Sequence, residues 1–234
     1  MNGQAMLALQ VIDSALDQVV HRRARLPELA ARAAHAETLK SLQDRIDAAD
    51  HGVAEALALI EQSEHAADEI TLKRERLERQ LKTVISPREA EALMVEITRF
   101  NSMRSDLDDR ELAALEAQAE GELQADELRA LLPPVQAELD AADEALAAAR
   151  AALDAEEAQL RADRVAAAEV LGAGDLATYE RLRTQFHGVG IAKLEVQRCA
   201  GCHLDLSRAE VDVMRALPAD TMPECPQCGR YLVR

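Results

Sequence analysis

Four cysteines are the residues of this chain best suited to chemistry. They form two pairs, Cys199-Ala-Gly-Cys202 and Cys225-Pro-Gln-Cys228, and are the only cysteines among 234 residues. Two residues separate the members of each pair, and 22 residues separate the pairs. That spacing suits one tetrahedral zinc held on two short knuckles of a ribbon. With Cys199, Cys202, Cys225 and Cys228 all ligating, the coordination shell is closed. One structural zinc would then build the fold and leave no place for an activated water. Gly201 and Gly229 would let tight turns aim backbone N–H groups at sulfur, and Arg198 and Arg230 would offset thiolate charge. Other readings stay open. Cys199 to His203 spells the c-type haem string, and one C-x-x-C alone can serve as a redox dithiol, although neither uses the second pair. His203 is also placed to replace one cysteine as a ligand.

Nothing else in the sequence has the pattern of a catalytic site. His21, His35, His51, His65 and His187 are scattered without metal-ligand spacing. Neither a phosphate loop nor a G-x-S-x-G turn occurs. The many carboxylates read as a solvated helix face. The expectation is a protein that is not an enzyme and has no small-molecule substrate.

Composition narrows what surrounds the cysteines. The chain has no Trp, two Phe and two Tyr, and is rich in Ala, Leu, Glu, Asp and Arg, as long helices and coiled coils are. The net charge of −16 weighs against an extended phosphate-binding surface. No apolar run reaches the ~20 residues of a membrane span, so no membrane association is expected. The first residues lack a basic, apolar leader, so a cytoplasmic location is expected. Reduced thiols there favour metal over disulfide.

Two heptad runs predict the scaffold. The first steps by three and four from Leu39 through Leu42, Ile46, Ala49, Val53, Ala56, Ile60, Ser63, Ala67, Ile70, Arg74, Leu77 and Leu81 to Val84. The second runs from Leu93 through Ile97, Phe100, Arg104, Leu107, Glu111, Ala114, Gln118, Gly121, Ala125 and Leu128 to Leu153. Sustained spacing of this kind marks a coiled coil. Between the runs, Ser86-Pro87-Arg88-Glu89 reads as a turn with a capping box, so the runs should fold back on each other. A shorter N-terminal helix steps through Leu9, Ile12, Leu16 and Val19 and must break at Leu26-Pro27. It either pairs with the longer return arm or folds back. Pro133-Pro134 should interrupt that arm. Gly172 should end it, with Asp175 capping a short helix beyond. A strand near Val189–Val196 and a helical insertion near Ser207–Leu217 complete the ribbon.

The fold class is therefore mostly α: a long antiparallel coiled-coil hairpin over 1–172, a linking helix at 173–188 and a small C4 zinc ribbon over 189–234. Lys73, Arg74, Arg76, Arg79, Lys82 and Arg88 cluster near the hairpin turn. They read either as partners of neighbouring acids or as a docking surface for an acidic protein. On the ribbon, Lys193, Arg198, Arg208, Arg215 and Arg230 offer contacts to nucleic acid, balanced by nearby acids.

Three segments carry a family resemblance. Cys225-Pro-Gln-Cys228-Gly-Arg-Tyr-Leu resembles a C-P-x-C-G-R-x-L close. Ser86 to Ile97 resembles an R/K-E-x-x-A-L-x-x-E-I hairpin signature, with Ala90 where the family has tyrosine. Asp175 to Arg183 resembles the segment joining hairpin to ribbon. Together they resemble the bacterial C4-type zinc-ribbon proteins with a long N-terminal helical hairpin. The resemblance implies a zinc-bound, non-enzymatic protein. Some relatives are linked to flagellar or type III secretion and to the alternative sigma factor of RNA polymerase, and others to RNA. The expected function is an interaction adaptor presenting a zinc ribbon to a protein or nucleic-acid partner. A structural spacer or assembly chaperone acting through the coiled coil is the alternative.

Overall fold

The computed structural model describes residues 2–218 and 221–234. Four helices precede a small sheet: α1 (Gly3–Arg23), α2 (Pro27–Leu81), α3 (Pro87–Ala130) and α4 (Leu132–Gln185). Then come β1 (Ile191–Glu195), β2 (Arg198–Cys199), α5 (Arg208–Ala216) and β3 (Tyr231–Val233). Together they form a mostly α chain with a coiled-coil hairpin and a C-terminal sheet region that gathers the four cysteines. Two compact units result: Ala31–Ala142, and a discontinuous one built from Met1–Ala30 with Asp143–Arg234.

Within the Ala31–Ala142 unit, α2 meets α3 and the start of α4 in antiparallel fashion. His35 lies 3.4 Å from Glu138, Arg129 reaches Asp50 at 2.5 Å, and Arg74 donates to Asn101 at 3.3 Å. Partner numbers fall as α2 numbers rise. Every seam position of both heptad runs is buried or half-buried, including Ser63, Arg74 and Gln118. The polar ones are tolerated because their ends escape: Arg74 to Glu78 and Asn101, Gln118 to Glu122. Gly121 is a seam residue for a steric reason. A Cβ there would stand 2.8 Å from Val53 Cγ2, so the missing side chain is the hole that Val53 fills.

Local signals at the helix ends behave less uniformly. Ser86 occupies the N-cap of α3 and Pro87 its first position, but the Ser86 side chain makes no capping bond. The expected capping box at Ser86 and Glu89 is therefore not formed. It forms at α5, where Ser207 accepts from the Glu210 N–H and Glu210 accepts from the Ser207 N–H. Pro133 and Pro134 interrupt the return arm for a single residue, Leu131. Both fall in the first turn of α4, where no helical acceptor awaits an N–H. Gly172 has the expected positive φ of 71°, but its ψ of 161° is extended, so the helix turns and resumes at once. Asp175 does not cap that continuation; its carboxylate accepts the Asn2 N–H at 2.8 Å.

In the discontinuous unit, β1 is the middle strand of three. It pairs antiparallel with β2 and parallel with β3. Side chains alternate across the sheet. Ile191 and Val233 join a core with Met6 and Leu9 of α1 and Tyr179 and Leu182 of α4. Ala192, Leu194 and Leu232 face the other way, with Val211 and Met214 of α5 and the cysteines. Arg234 secures the end of α5. Its guanidinium donates to the carbonyls of Met214, Leu217, Pro218 and Thr221 at 2.7–3.0 Å.

Two glycines in the Ala31–Ala142 unit should respond oppositely to alanine. Gly52 has open space where a Cβ would sit, so Gly52→Ala should stabilise by about 1 kcal/mol through helix propensity. Gly121→Ala should lose that gain to the Val53 clash, and Gly121→Ala with Val53→Ala should recover it. Urea unfolding of the three variants measures the difference.

Candidate metal centre and its anchor

The four sulfur atoms converge. Cys199, Cys202, Cys225 and Cys228 each offer a ligand atom, and these lie within 4.8 Å of one another. The short separations run across the knuckles: Cys199 Sγ to Cys228 Sγ is 4.0 Å, and Cys202 Sγ to Cys225 Sγ is 3.9 Å. A tetrahedron with metal–sulfur bonds of ~2.3 Å has edges of ~3.8 Å. The thiolate set can therefore hold one metal ion in a closed shell.

Sequence and backbone explain how the sulfurs arrive. β1 and β2 place Cys199 opposite Leu194, and the knuckle that follows folds back. The Gly201 N–H then points at Cys199 Sγ from 3.3 Å, and the His203 N–H bonds the Cys199 carbonyl at 2.8 Å. The second knuckle closes with the Gly229 N–H on the Cys225 carbonyl at 2.8 Å, Gly229 having φ 72°. Cys199 and Cys225 are buried; Cys202 and Cys228 are half-buried. Burial pushes the Cys199 thiol up and the Cys225 thiol up to about 12. Burial also acts upward on Cys228, but hydrogen bonds from the Arg230 backbone and side chain reverse it and bring that thiol down to about 7. Ligation requires thiolates, so a metal entering this site must displace protons.

The residues expected around the site divide. Arg230 lowers the Cys228 thiol alone, donates Nε to the Val189 carbonyl at 2.7 Å and covers the Phe186 ring. Arg198 instead donates Nε to the His203 carbonyl at 2.9 Å. His203 is exposed and lies outside the sulfur cluster. Arg215 reaches the Val196 carbonyl at 3.3 Å, while Lys193 and Arg208 are exposed. At the hairpin turn, Lys73 pairs with Glu69 and Arg74 with Glu78, both at 3.3 Å. Arg76, Arg79, Lys82 and Arg88 are exposed, with no ion-pair partner among the described residues.

Sequence reading missed the device that seats the sheet. Helix α1 buries Gln10 and Asp13 beside Met6, Leu9 and Val19. Gln10 bridges to the loop before β1: Nε2 donates to the Gly188 carbonyl at 2.8 Å, and Oε1 accepts the Gly190 N–H at 3.0 Å. Gly190 must be glycine, because a Cβ there would meet the Leu182 backbone at 2.6 Å. Asp13 is 1% exposed. It accepts from the Tyr179 hydroxyl at 2.6 Å and from Arg164 Nε at 2.7 Å, with Arg183 Nε 3.5 Å away. Burial, then the Asp13 bond, raises the Tyr179 phenol far above its ordinary range, so it stays a donor. Arg183 also grips Asp17 at 3.0 Å, and Arg164 also holds Glu180. The only available signal was an acid beside the α1 apolar stripe, with its partners more than 150 residues away.

The chain matches the CT398-like coiled coil hairpin domain over residues 9–187 and belongs to that family. An uncharacterized Mycobacterium tuberculosis protein, Rv2229c in strain H37Rv, is 26% identical over 233 residues, covering 99% of this chain and 94% of the relative. Among solved structures, one from Mycobacterium smegmatis superposes with a TM-score of 0.81 at 21% identity, covering 99% of this chain and 97% of the other. CT398 from Chlamydia trachomatis gives 0.80 at 21% identity, covering 98% and 95%. The HP0958 protein of Helicobacter pylori gives 0.58 at 13% identity, covering 98% and 95%. These likenesses fix the fold.

Removing Asp13 tests the anchor. Asp13→Ala leaves Arg164 with Glu180 and Arg183 with Asp17 alone and takes the acceptor from the buried Tyr179 hydroxyl, and should cost about 3 kcal/mol in chemical denaturation. Asp17→Ala, at a half-exposed partner, should cost under about 1 kcal/mol.

Proposed function

We propose that this protein is a non-enzymatic, zinc-binding interaction adaptor. It presents a small ribbon, built on one structural zinc and carried on the same chain as a coiled-coil hairpin, to a protein partner. The observation that carries this reading is the closed sulfur set, whose four sulfurs lie within 4.8 Å of one another, with two separations of 3.9 and 4.0 Å between the knuckles. A shell filled by protein leaves the metal no position for substrate or water. Soft thiolates select zinc over hard cations such as magnesium or calcium. A sheet of ten strand residues has little core of its own, so the metal supplies what apolar burial does not.

A protein partner is favoured over nucleic acid. Four of the six ribbon cations, Arg198, Arg215, Arg230 and Arg234, spend donors on backbone carbonyls, and the chain carries −16 overall. A phosphate-binding stripe needs free cations in register. A redox role for one pair is disfavoured because all four sulfurs gather in one cluster, with close approaches between the knuckles as well.

Metal analysis by mass spectrometry, on protein purified without added metal, tests the reading. One zinc per chain is expected, lost in a Cys225→Ser/Cys228→Ser variant whose hairpin keeps its helical circular dichroism. Haem, a disulfide, or metal-free protein with a fully ordered ribbon would overturn it. Mixed-sequence RNA and DNA should bind no more tightly than nonspecific affinity, ~10⁻⁴–10⁻⁶ M at physiological salt.

A further inference from the structure

The charge of the hairpin is segregated along its length. Residues 46–72 hold seven acids and no Lys or Arg, and residues 105–128, on the opposite arm, hold nine acids and Arg110 alone. Residues 73–88, at the turn, hold six Lys or Arg against Glu75 and Glu78. Neighbouring acids take up Lys73 and Arg74, leaving Arg76, Arg79, Lys82 and Arg88 exposed and unpaired among the described residues. The same tip carries bare apolar surface: Ile85 is 97% exposed, and Leu72 and Val95 are 65% exposed. The acidic shaft has its own, at Leu112, Leu115 and Leu123. Each stretch thus offers what the other lacks in charge and matches it in apolar side chains.

We propose that the basic tip of one copy docks on the acidic shaft of a second copy, forming an antiparallel, two-fold dimer of hairpins. The placement of the two stretches favours this occupant. Tip and mid-shaft lie ~30 residues apart on α3, or ~45 Å. Two hairpins running in opposite directions with that overlap bring each tip onto the other's shaft. The contact is made twice and closes, so association stops at two copies. The overall −16 of each chain opposes association only weakly at physiological salt, where charges beyond ~8 Å are screened. Short-range tip-to-shaft pairs escape that screening and fix the register. The docking needs no metal.

Sedimentation velocity of the full chain tests it through a charge swap. The wild type should form a concentration-dependent dimer. Arg76→Glu/Arg79→Glu/Lys82→Glu makes the tip net acidic, and Glu116→Lys/Glu120→Lys/Glu127→Lys makes its counterpart on the shaft basic. Each variant alone should weaken the dimer at least ~10-fold, since like charges then face each other. Mixed in equal amounts, the two should recover a dimer, because each tip again meets an opposite shaft. Circular dichroism confirms that both variants fold, and the Cys225→Ser/Cys228→Ser variant should dimerise as the wild type does. A chain that stays monomeric at every concentration overturns the proposal. So does a dimer that survives either reversal, one that mixing fails to restore, or capture of the basic tip only by an unrelated acidic protein.

Discussion

A carboxylate with almost no access to water holds α1 against α4. Asp13 is buried between α1 and α4, and a charge there is tolerable only while Arg164, Arg183 and the Tyr179 hydroxyl surround it. The geometry is demanding, so the site fixes one rotation and one height of α1 against α4. Apolar packing alone tolerates neighbouring registers; a buried ion with three partners does not. Once α1 is set, Gln10 lies where the loop before β1 needs a donor and an acceptor, and the sheet follows.

The sheet is consequently held from two sides by different chemistry. One face rests on α1 and α4 through Ile191 and Val233. The other faces α5 and the sulfurs through Ala192, Leu194 and Leu232. Neither support would suffice for so few strand residues. Helix packing gives the strands a floor, and a metal would join the two knuckles that no hydrogen-bond ladder connects. Arg230 touches both sides, with its side chain reaching toward Cys228 and its Nε on Val189.

The hairpin was legible in the sequence because its information is periodic. A seam of steps of three and four survives polar interruptions, and positions such as Ser63 and Gly121 fit it once their neighbours are seen. The cysteines were legible because ligand chemistry fixes spacing. The anchor was not. Gln10 and Asp13 are polar, so a search for an apolar face assigns them to solvent, and Tyr179 reads as one more apolar residue. Their meaning depends on residues 150 to 180 positions away. Capping showed the limit of local signals. Ser86 and Glu89 have the right letters but make no box, while Ser207 and Glu210 do. Side-chain rotamers decide between them, and sequence spacing does not record rotamers.

The division into units has a consequence for how such a chain can change. The ribbon-bearing unit is assembled from both ends of the sequence, and Ala31–Ala142 enters it as one uninterrupted excursion out and back. Its two arms are matched heptad for heptad, so a heptad removed from each arm, or added to each, reproduces the same seam. Nothing in the Asp13 site or the sulfur cluster registers that alteration. Arm length is thus a free variable in this architecture, open to selection in units of seven residues per arm without disturbing the residues that gather the four sulfurs.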